Sequence, residues 1–311
     1  MTPPLGTLRA AFEATGSPSW VMRVIREQGF DARHGFRLDL TQSGDRGSRA
    51  AQATLAALAA GDTDLIDTDW IAIARAHLVP VFPYGRIMGA AVSAEGSGIE
   101  GLSGLSGRRV GVIRSLDKNW IVIRAAFRKR YGQDLHEQVE LKEALSKTTL
   151  AQWLEAGEID VGVLPWHLVP RFTTRGFRQV FDVLDLVEEL GPGNVATTFF
   201  AVKPDFVASR RAALGAFAAA YTDAVTLMRA DESVWREAAA QPGDDPSMLA
   251  ALRASWLRRI RCEWEPQDGA RLESLFELLK ESAGEEALGL SHMPRGLFGL
   301  ERGLAALVKE G

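Results

Sequence analysis

The chain has 311 residues, 46% hydrophobic and 24% charged, the make-up of a globular protein with room for two cores. Its 36 basic and 40 acidic side chains leave a net charge of −4, which offers a polyanion no general basic surface and excludes nucleic acid as a partner. One cysteine, Cys262, excludes an intramolecular disulfide; five scattered histidines lack metal-ligand spacing, and no apolar run reaches the length of a membrane span.

Thr7–Phe12 reads as a first strand, followed by a turn, Gly16-Ser17-Pro18-Ser19, and a helix over Trp20–Gln28 that Gly29 ends. Phe36–Thr41 alternates apolar and polar residues as a half-buried strand does, and Ser48–Ala60 is an alanine-rich helix stopped by Gly61. Asp64–Asp67 is the next strand, Trp70–Arg75 a short helix, and His77–Tyr84 and Ile87–Val92 are extended. The Gly/Ser-rich stretch Ala94–Gly107 reads as a connection between lobes.

A second α/β series follows: strand Arg109–Ile113, helix Lys118–Tyr131 closed by Gly132, strand Gln138–Leu141, helix Thr149–Glu155, strand Ile159–Leu164 and strand Gln179–Val183. Gly191-Pro192-Gly193 breaks the chain, and Thr197–Val202 returns as a strand to the first lobe. Beyond Pro204 the pattern is helical, over Phe206–Ala230, Glu232–Ala240, Pro246–Arg261, Pro266–Ser282 and Leu297–Lys309, and this tail is expected to buttress the first lobe. The basic runs Arg128-Lys129-Arg130 and Arg258-Arg259-Ile260-Arg261 read as solvated helix faces.

Two stretches echo each other. Leu58-Ala-Ala-Gly61-Asp62-Thr63-Asp64-Leu65 leads to Trp70, and Leu154-Glu-Ala-Gly157-Glu158-Ile159-Asp160-Val161 leads to Trp166, every matched position being 96 residues apart. Each copy is a helix end, a glycine stop, an acidic turn, a short strand and an aromatic exit. Alternating β and α elements imply mainly parallel sheets covered by helices, with ligands bound at the strands' carboxyl ends. Trp20, Trp70, Trp120 and Trp166 all follow strands at that edge, which points to an aromatic cage or stacking platform. Trp153, Trp235, Trp256 and Trp264 lie within or between helices and read as packing residues. Gly191-Pro192-Gly193-Asn194-Val195-Ala196 formally fits a dinucleotide motif but precedes a strand instead of opening a helix.

With these residues in order, the chain resembles the periplasmic substrate-binding proteins of ABC importers of the nitrate/taurine/sulfonate/thiamine-precursor type. The resemblance rests on Ala60-Gly61-Asp62-Thr63-Asp64, on Leu105-Ser106-Gly107-Arg108-Arg109-Val110-Gly111-Val112, on Asp160-Val161-Gly162-Val163-Leu164-Pro165-Trp166, and on Phe200-Ala201-Val202-Lys203-Pro204-Asp205-Phe206 with the helix behind it. It spans about residues 7–235 and implies a two-lobed α/β fold of the type II periplasmic-binding-protein kind with a helical C-terminal extension. Lobe 1 is expected over 1–93 plus 199–311 and lobe 2 over 94–198.

The resemblance further implies a monomeric solute-binding protein without cofactor or metal. It would capture a small organic molecule by hinge closure and deliver it to an ABC permease, with no membrane insertion of its own. The start, Met1-Thr-Pro-Pro-Leu-Gly, has neither a basic n-region nor an apolar h-region, as expected of a periplasmic protein whose signal has been removed or of a cytoplasmic one. An enzyme on the same fold, a menaquinone-pathway-like lyase or a pyrimidine-precursor enzyme, and a cytoplasmic ligand sensor remain the alternatives. Cys262 stands in the helical tail, against the cysteine-dependent members of that group.

Carried over from the resemblance, the ligand loops are Glu13–Trp20, Asp67–Trp70, Arg114–Trp120 and Pro165–His167. Within them the expected ligand residues are Glu13, Ser17, Ser19, Trp20, Asp67, Thr68, Trp70, Arg114, Ser115, Trp120, Trp166 and His167. Ser17 and Ser19 open a helix, where they suit either an anion or plain N-capping. Asp67 suits a cationic or amino-bearing ligand, whereas Asp69 reads as a helix cap; Arg114 or Lys118 suits a sulfonate or carboxylate, with a salt bridge to Asp117 as the simpler role for Lys118. The tryptophans with Glu13 and Asp67 favour an aromatic, heterocyclic or cationic ligand.

Overall fold

The computed structural model describes residues 4–13, 16–43, 48–86 and 88–298, with the side chains of 13, 42, 43, 48–52 and 287 outside it. In chain order the first series is β1 (Thr7–Glu13), α1 (Ser17–Glu27), α2 (Phe30–Arg33), β2 (Arg37–Ser43), α3 (Ser48–Ala60), β3 (Leu65–Asp69), α4 (Trp70–Arg75) and β4 (Val79–Gly85). The second is β5 (Ala90–Ala94), β6 (Arg109–Val112), α5 (Lys118–Tyr131), β7 (Glu140–Glu143), α6 (Lys147–Glu155), β8 (Val161–Leu164), α7 (Val169–Thr173), β9 (Phe177–Asp182) and α8 (Val183–Leu190). The chain then forms β10 (Thr198–Val202), α9 (Pro204–Ala230), α10 (Glu232–Ala239), α11 (Pro246–Arg259), α12 (Asp268–Ala283) and α13 (Glu285–Leu288). The helix expected over Leu297–Lys309 lies almost wholly outside the described residues. Among the described residues no helix is long and apolar enough to cross a membrane.

The ten strands form two five-stranded sheets of the same design. One has the order β2-β1-β3-β10-β4 and the other β7-β6-β8-β5-β9. In each, three parallel strands stand beside one antiparallel strand that returns through the sheet, β10 in the first and β5 in the second. The 96-residue echo is thus the α3–β3 unit of one sheet and the α6–β8 unit of the other. Gly61 and Gly157 end those helices at φ 82° and 69°, a left-handed turn that glycine adopts without strain.

The repeat also carries an ion pair that the sequence reading did not foresee. Asp64 accepts hydrogen bonds from the Arg9 backbone N–H (2.9 Å) and guanidinium (2.5 Å). Asp160 does the same with the Arg109 backbone N–H (2.8 Å) and guanidinium (2.6 Å). Each turn aspartate therefore pins its strand to the parallel strand beside it, β3 to β1 and β8 to β6.

Two expectations about organisation are corrected. β5 pairs with β8 and β9, so the chain changes sheet between Gly85 and Ala90, upstream of the expected 93/94 boundary, and the stretch 94–107 is a loop inside the second lobe. The glycines and serines there signalled irregular backbone, which a within-lobe loop needs as much as a crossing does. The tail, moreover, does not pack only on the first lobe. α9 and α10 pack on α1, and α11 reaches α7 of the second lobe, while α12 packs on α5 and α8.

Arg128, Lys129 and Arg130 form the exposed helix face expected of them while also bonding to neighbouring helices, whereas Arg259 and Arg261 of the second run are buried, against expectation. Arg130 pairs with Glu189, Lys129 donates to the Glu189 carbonyl (2.9 Å) and Arg128 to the Glu281 carbonyl (2.9 Å). Arg259 pairs with Asp182 at 2.5 Å and Arg261 with Asp268 at 2.9 Å, all four side chains being buried or nearly so. Helix α8 was not foreseen, because its apolar run continues from the β9 pattern; Asp182 starts it by accepting the Leu184 N–H at 2.9 Å.

Candidate functional site

β1 and β3 of one sheet and β6, β7 and β8 of the other lead into one cleft of about 240 Å³ between the lobes. The first lobe contributes Gly16, Ser17 and Pro18 after β1, Asp67–Asp69 at the end of β3, and Tyr84 and Thr198 from β4 and β10. The second contributes Ile113 and Arg114 after β6, Asp117–Asn119 at the start of α5, Lys147 after β7 and Pro165–His167 after β8. Met88 and Gly89 of the first crossing form part of the floor. Ligand space at the carboxyl ends of the strands is what this type of sheet provides.

The N-terminus of α1 faces the cleft. Gly16 occupies the N-cap position at φ 100° and offers no side chain, so the first N–H groups of α1 are not capped by it. Ser19 Oγ donates to the Gly16 carbonyl at 2.8 Å. Ser17 Oγ is buried on the cleft wall with no hydrogen-bond partner among the described residues. The pair therefore does not serve as an ordinary N-cap.

Three acidic residues line the cleft and two are committed to helix starts. Asp69 accepts from the N–H groups of Ile71 and Ala72, both at 2.9 Å, which is the cap expected of it. Asp117 accepts from the backbone and side-chain amides of Asn119 at 2.8 and 2.7 Å, and so does not serve as the ion-pair partner of Lys118. Asp67 accepts from the Tyr84 hydroxyl at 3.1 Å. Burial, then the nearby Asp67 carboxylate, push the Tyr84 phenol well above its ordinary pKa, so it remains a donor.

The second lobe supplies cations. Among the described residues Arg114 and Lys118 have no ion pair or side-chain hydrogen bond, and Lys147 is a buried part of the wall. Burial holds His167 well below the ordinary imidazole range, with Lys147 and Arg171 adding to the shift, so its ring is neutral at pH 7.

Of the twelve expected ligand residues, Ser17, Asp67, Thr68, Arg114, Trp166 and His167 line the cleft. Ser115 does not line it; its N–H donates to Glu143 at 3.0 Å. The Glu13 side chain lies outside the described residues. Ser19 and Trp20 are packed behind the wall, and Trp70 and Trp120 are fully buried in the core, each 0% exposed. The four-tryptophan cage is thereby corrected to one indole, Trp166. Trp70 and Trp120 follow strands but fall in the first turn of α4 and α5, and those helices turn them under the sheet instead of over its edge.

Tyr84, Lys147 and Thr198 were not foreseen, and Asn119 lay in an expected loop without being singled out. Lys147 had a signal: it lies in the turn after β7 as Arg114 lies in the turn after β6, and Ser146 caps the helix it opens by accepting from the Thr149 N–H at 3.0 Å. Tyr84 and Thr198 come from strands whose place beside β3 depends on sheet order, which no local pattern reveals.

No family model and no curated protein matches the sequence. Solved structures do. The periplasmic aliphatic sulphonate binding protein SsuA of Escherichia coli superposes with a TM-score of 0.71 at 15% identity, covering 97% of this chain and 98% of that one. The alkanesulfonate-binding protein SsuA of Xanthomonas axonopodis pv. citri, bound to MOPS, gives 0.71 at 15% identity over 96% and 99%. A Candida albicans protein described as having the generic periplasmic binding protein fold gives 0.60 at 13% identity over 96% and 95%. At these identities the likeness is one of fold: the chain has the two-lobed α/β periplasmic-binding-protein fold.

Proposed function

We propose that the protein is the solute-binding component of an ABC importer and closes its two lobes on a small organic anion. The observation that carries this reading is the asymmetry of the cleft. Arg114 and Lys118 on the second lobe, with Lys147 also in the wall, face the N-terminus of α1 and the Ser17 hydroxyl, which has no hydrogen-bond partner among the described residues. Helix N–H groups and basic side chains both favour a bound negative charge.

Asp67, held by Tyr84, suits a donor such as an amine or hydroxyl at the other end of the ligand. The aromatic ligand favoured by the sequence loses support, since one indole remains where four were expected. Closure would hinge at 86–89 and 191–197, where the chain passes between the sheets. The protein would act as a periplasmic monomer that presents the closed form to a permease. Support for binding instead of cysteine chemistry comes from Cys262, which is absent from the cleft and whose thiol burial pushes up to about 12.

Isothermal titration with sulfonates, carboxylates, amines and pyrimidines tests the reading, alongside native mass spectrometry of the purified protein. Tight binding of an anion is expected, weakened about tenfold or more by Arg114→Ala or Ser17→Ala, as loss of one charge-assisted contact implies. Binding of amines alone, or anion affinity unchanged in both variants, would sink it.

A further inference from the structure

Trp166 belongs to the second lobe by sequence and to the first by packing. It follows β8, yet its indole is only 3% exposed and joins the first lobe's apolar core, with Trp20, Trp235 and Trp256. It meets Trp20 of α1 edge to face with ring centroids 5.7 Å apart, and Trp20 meets Trp235 of α10 at 6.0 Å. On another side the Arg259 guanidinium lies 5.9 Å from the same indole.

Arg259 is buried and fixed on several sides. It donates to the Met88 carbonyl at 3.0 Å, to Asp182 at 2.5 Å and to Ser255 Oγ at 3.0 Å. Met88 is in the first crossing and Asp182 ends β9. One side chain thus joins the tail, the crossing, the second lobe and the aromatic wall of the cleft.

We infer that Trp166 is a latch between the lobes and that Arg259 is the positioning residue that seats it. Opening about the two crossings carries the end of β8 away from α1. It must withdraw the indole from Trp20 and return a large apolar surface to water. The Arg259–Asp182 pair lies beside the crossing, where a hinge moves least, so it keeps the indole oriented for reinsertion. The protein's own contacts therefore bias the lobes toward closure before any ligand contributes. This rests on the solute-binding reading only in naming the space a ligand cleft.

Small-angle X-ray scattering of the full chain, with no ligand added, tests the latch independently of that reading. The wild-type curve is expected to fit the lobe arrangement of the structure, with Trp166 seated against Trp20. Trp166→Ala is expected to raise the radius of gyration, its closed-to-open ratio falling about tenfold to a hundredfold, the scale set by exposing one large apolar side chain. Trp166→Phe should restore most of the closed population. Arg259→Gln should open the protein, and Arg259→Lys, which keeps the charge without the planar fork, should do so less. If Trp166→Ala loses cooperative melting, Trp166→Leu is read in its place. An open wild type, or a closed protein without the Trp166 indole, overturns the latch. Opening in the Trp166 variants with Arg259→Gln still closed overturns the role of Arg259.

Discussion

Asp160 and His167 stand a few residues apart and respond to acid for opposite reasons. The Arg109 hydrogen bonds hold the Asp160 carboxyl below its ordinary value of 3.8. A carboxyl lowered in the folded state contributes stability above the unfolded pKa and loses it as pH falls through the folded value. Asp160→Asn should therefore lower the melting temperature at neutral pH and reduce its further fall below about pH 4, read by scanning calorimetry. His167 is held well below 6.5 by burial first, and the folded protein resists a proton that the unfolded chain accepts. Its penalty is absent above pH 6.5 and grows as pH falls beneath that value. His167→Gln should flatten the stability profile between about pH 6.5 and 5, and an unchanged slope would show that the imidazole titrates freely.

Among the elements, α4 and the first crossing show how close the cleft lies to the limits of the backbone. Asp69 caps α4 with two hydrogen bonds, so Asp69→Ala should cost about 1 kcal/mol of stability in chemical denaturation. Gly89 carries no side chain because a Cβ there would stand 2.2 Å from the Leu164 carbonyl oxygen, on the main chain just ahead of Trp166. Its N–H donates to Asn119 at 2.7 Å, and its carbonyl accepts from Val183 at 3.0 Å. Gly89→Ala should push the crossing off β8 and weaken ligand affinity more than it lowers the melting temperature; equal affinity to wild type would count against this tight contact. The local patterns made α3 and α4 legible because caps and glycine stops act within one turn. They did not show α8, whose apolar residues suit a strand as well as a helix until Asp182 is placed.

For the molecule as a whole, the Gly61/Gly157 echo was readable because both turns solve the same backbone problem. Its tryptophans were not equivalent. Asp69 starts a helix at once and puts Trp70 under the sheet, whereas β8 runs into Pro165 and α7 begins only at Val169, leaving Trp166 to reach across. Sheet order, and with it Tyr84 and Thr198 in the cleft, depends on pairings far apart in sequence. The same is true of the tail: α12 looks like any amphipathic helix, and only tertiary contact sends it to α5 and α8. Phe276 of α12 is fully buried there, so Phe276→Ala should cost about 3–5 kcal/mol. A chain ending at residue 262 should bind a hydrophobic dye and melt lower than the full chain.

The placement of α12 also has a schedule. The second lobe has all five of its strands once β9 is made, and α8 is complete at Leu190, but the helix that covers α5 and α8 begins at Asp268. At about 5–20 residues per second this delay is roughly 4–16 s of synthesis. Through that interval a finished sheet waits with an apolar flank uncovered, a surface on which a chaperone can act before the chain seals itself.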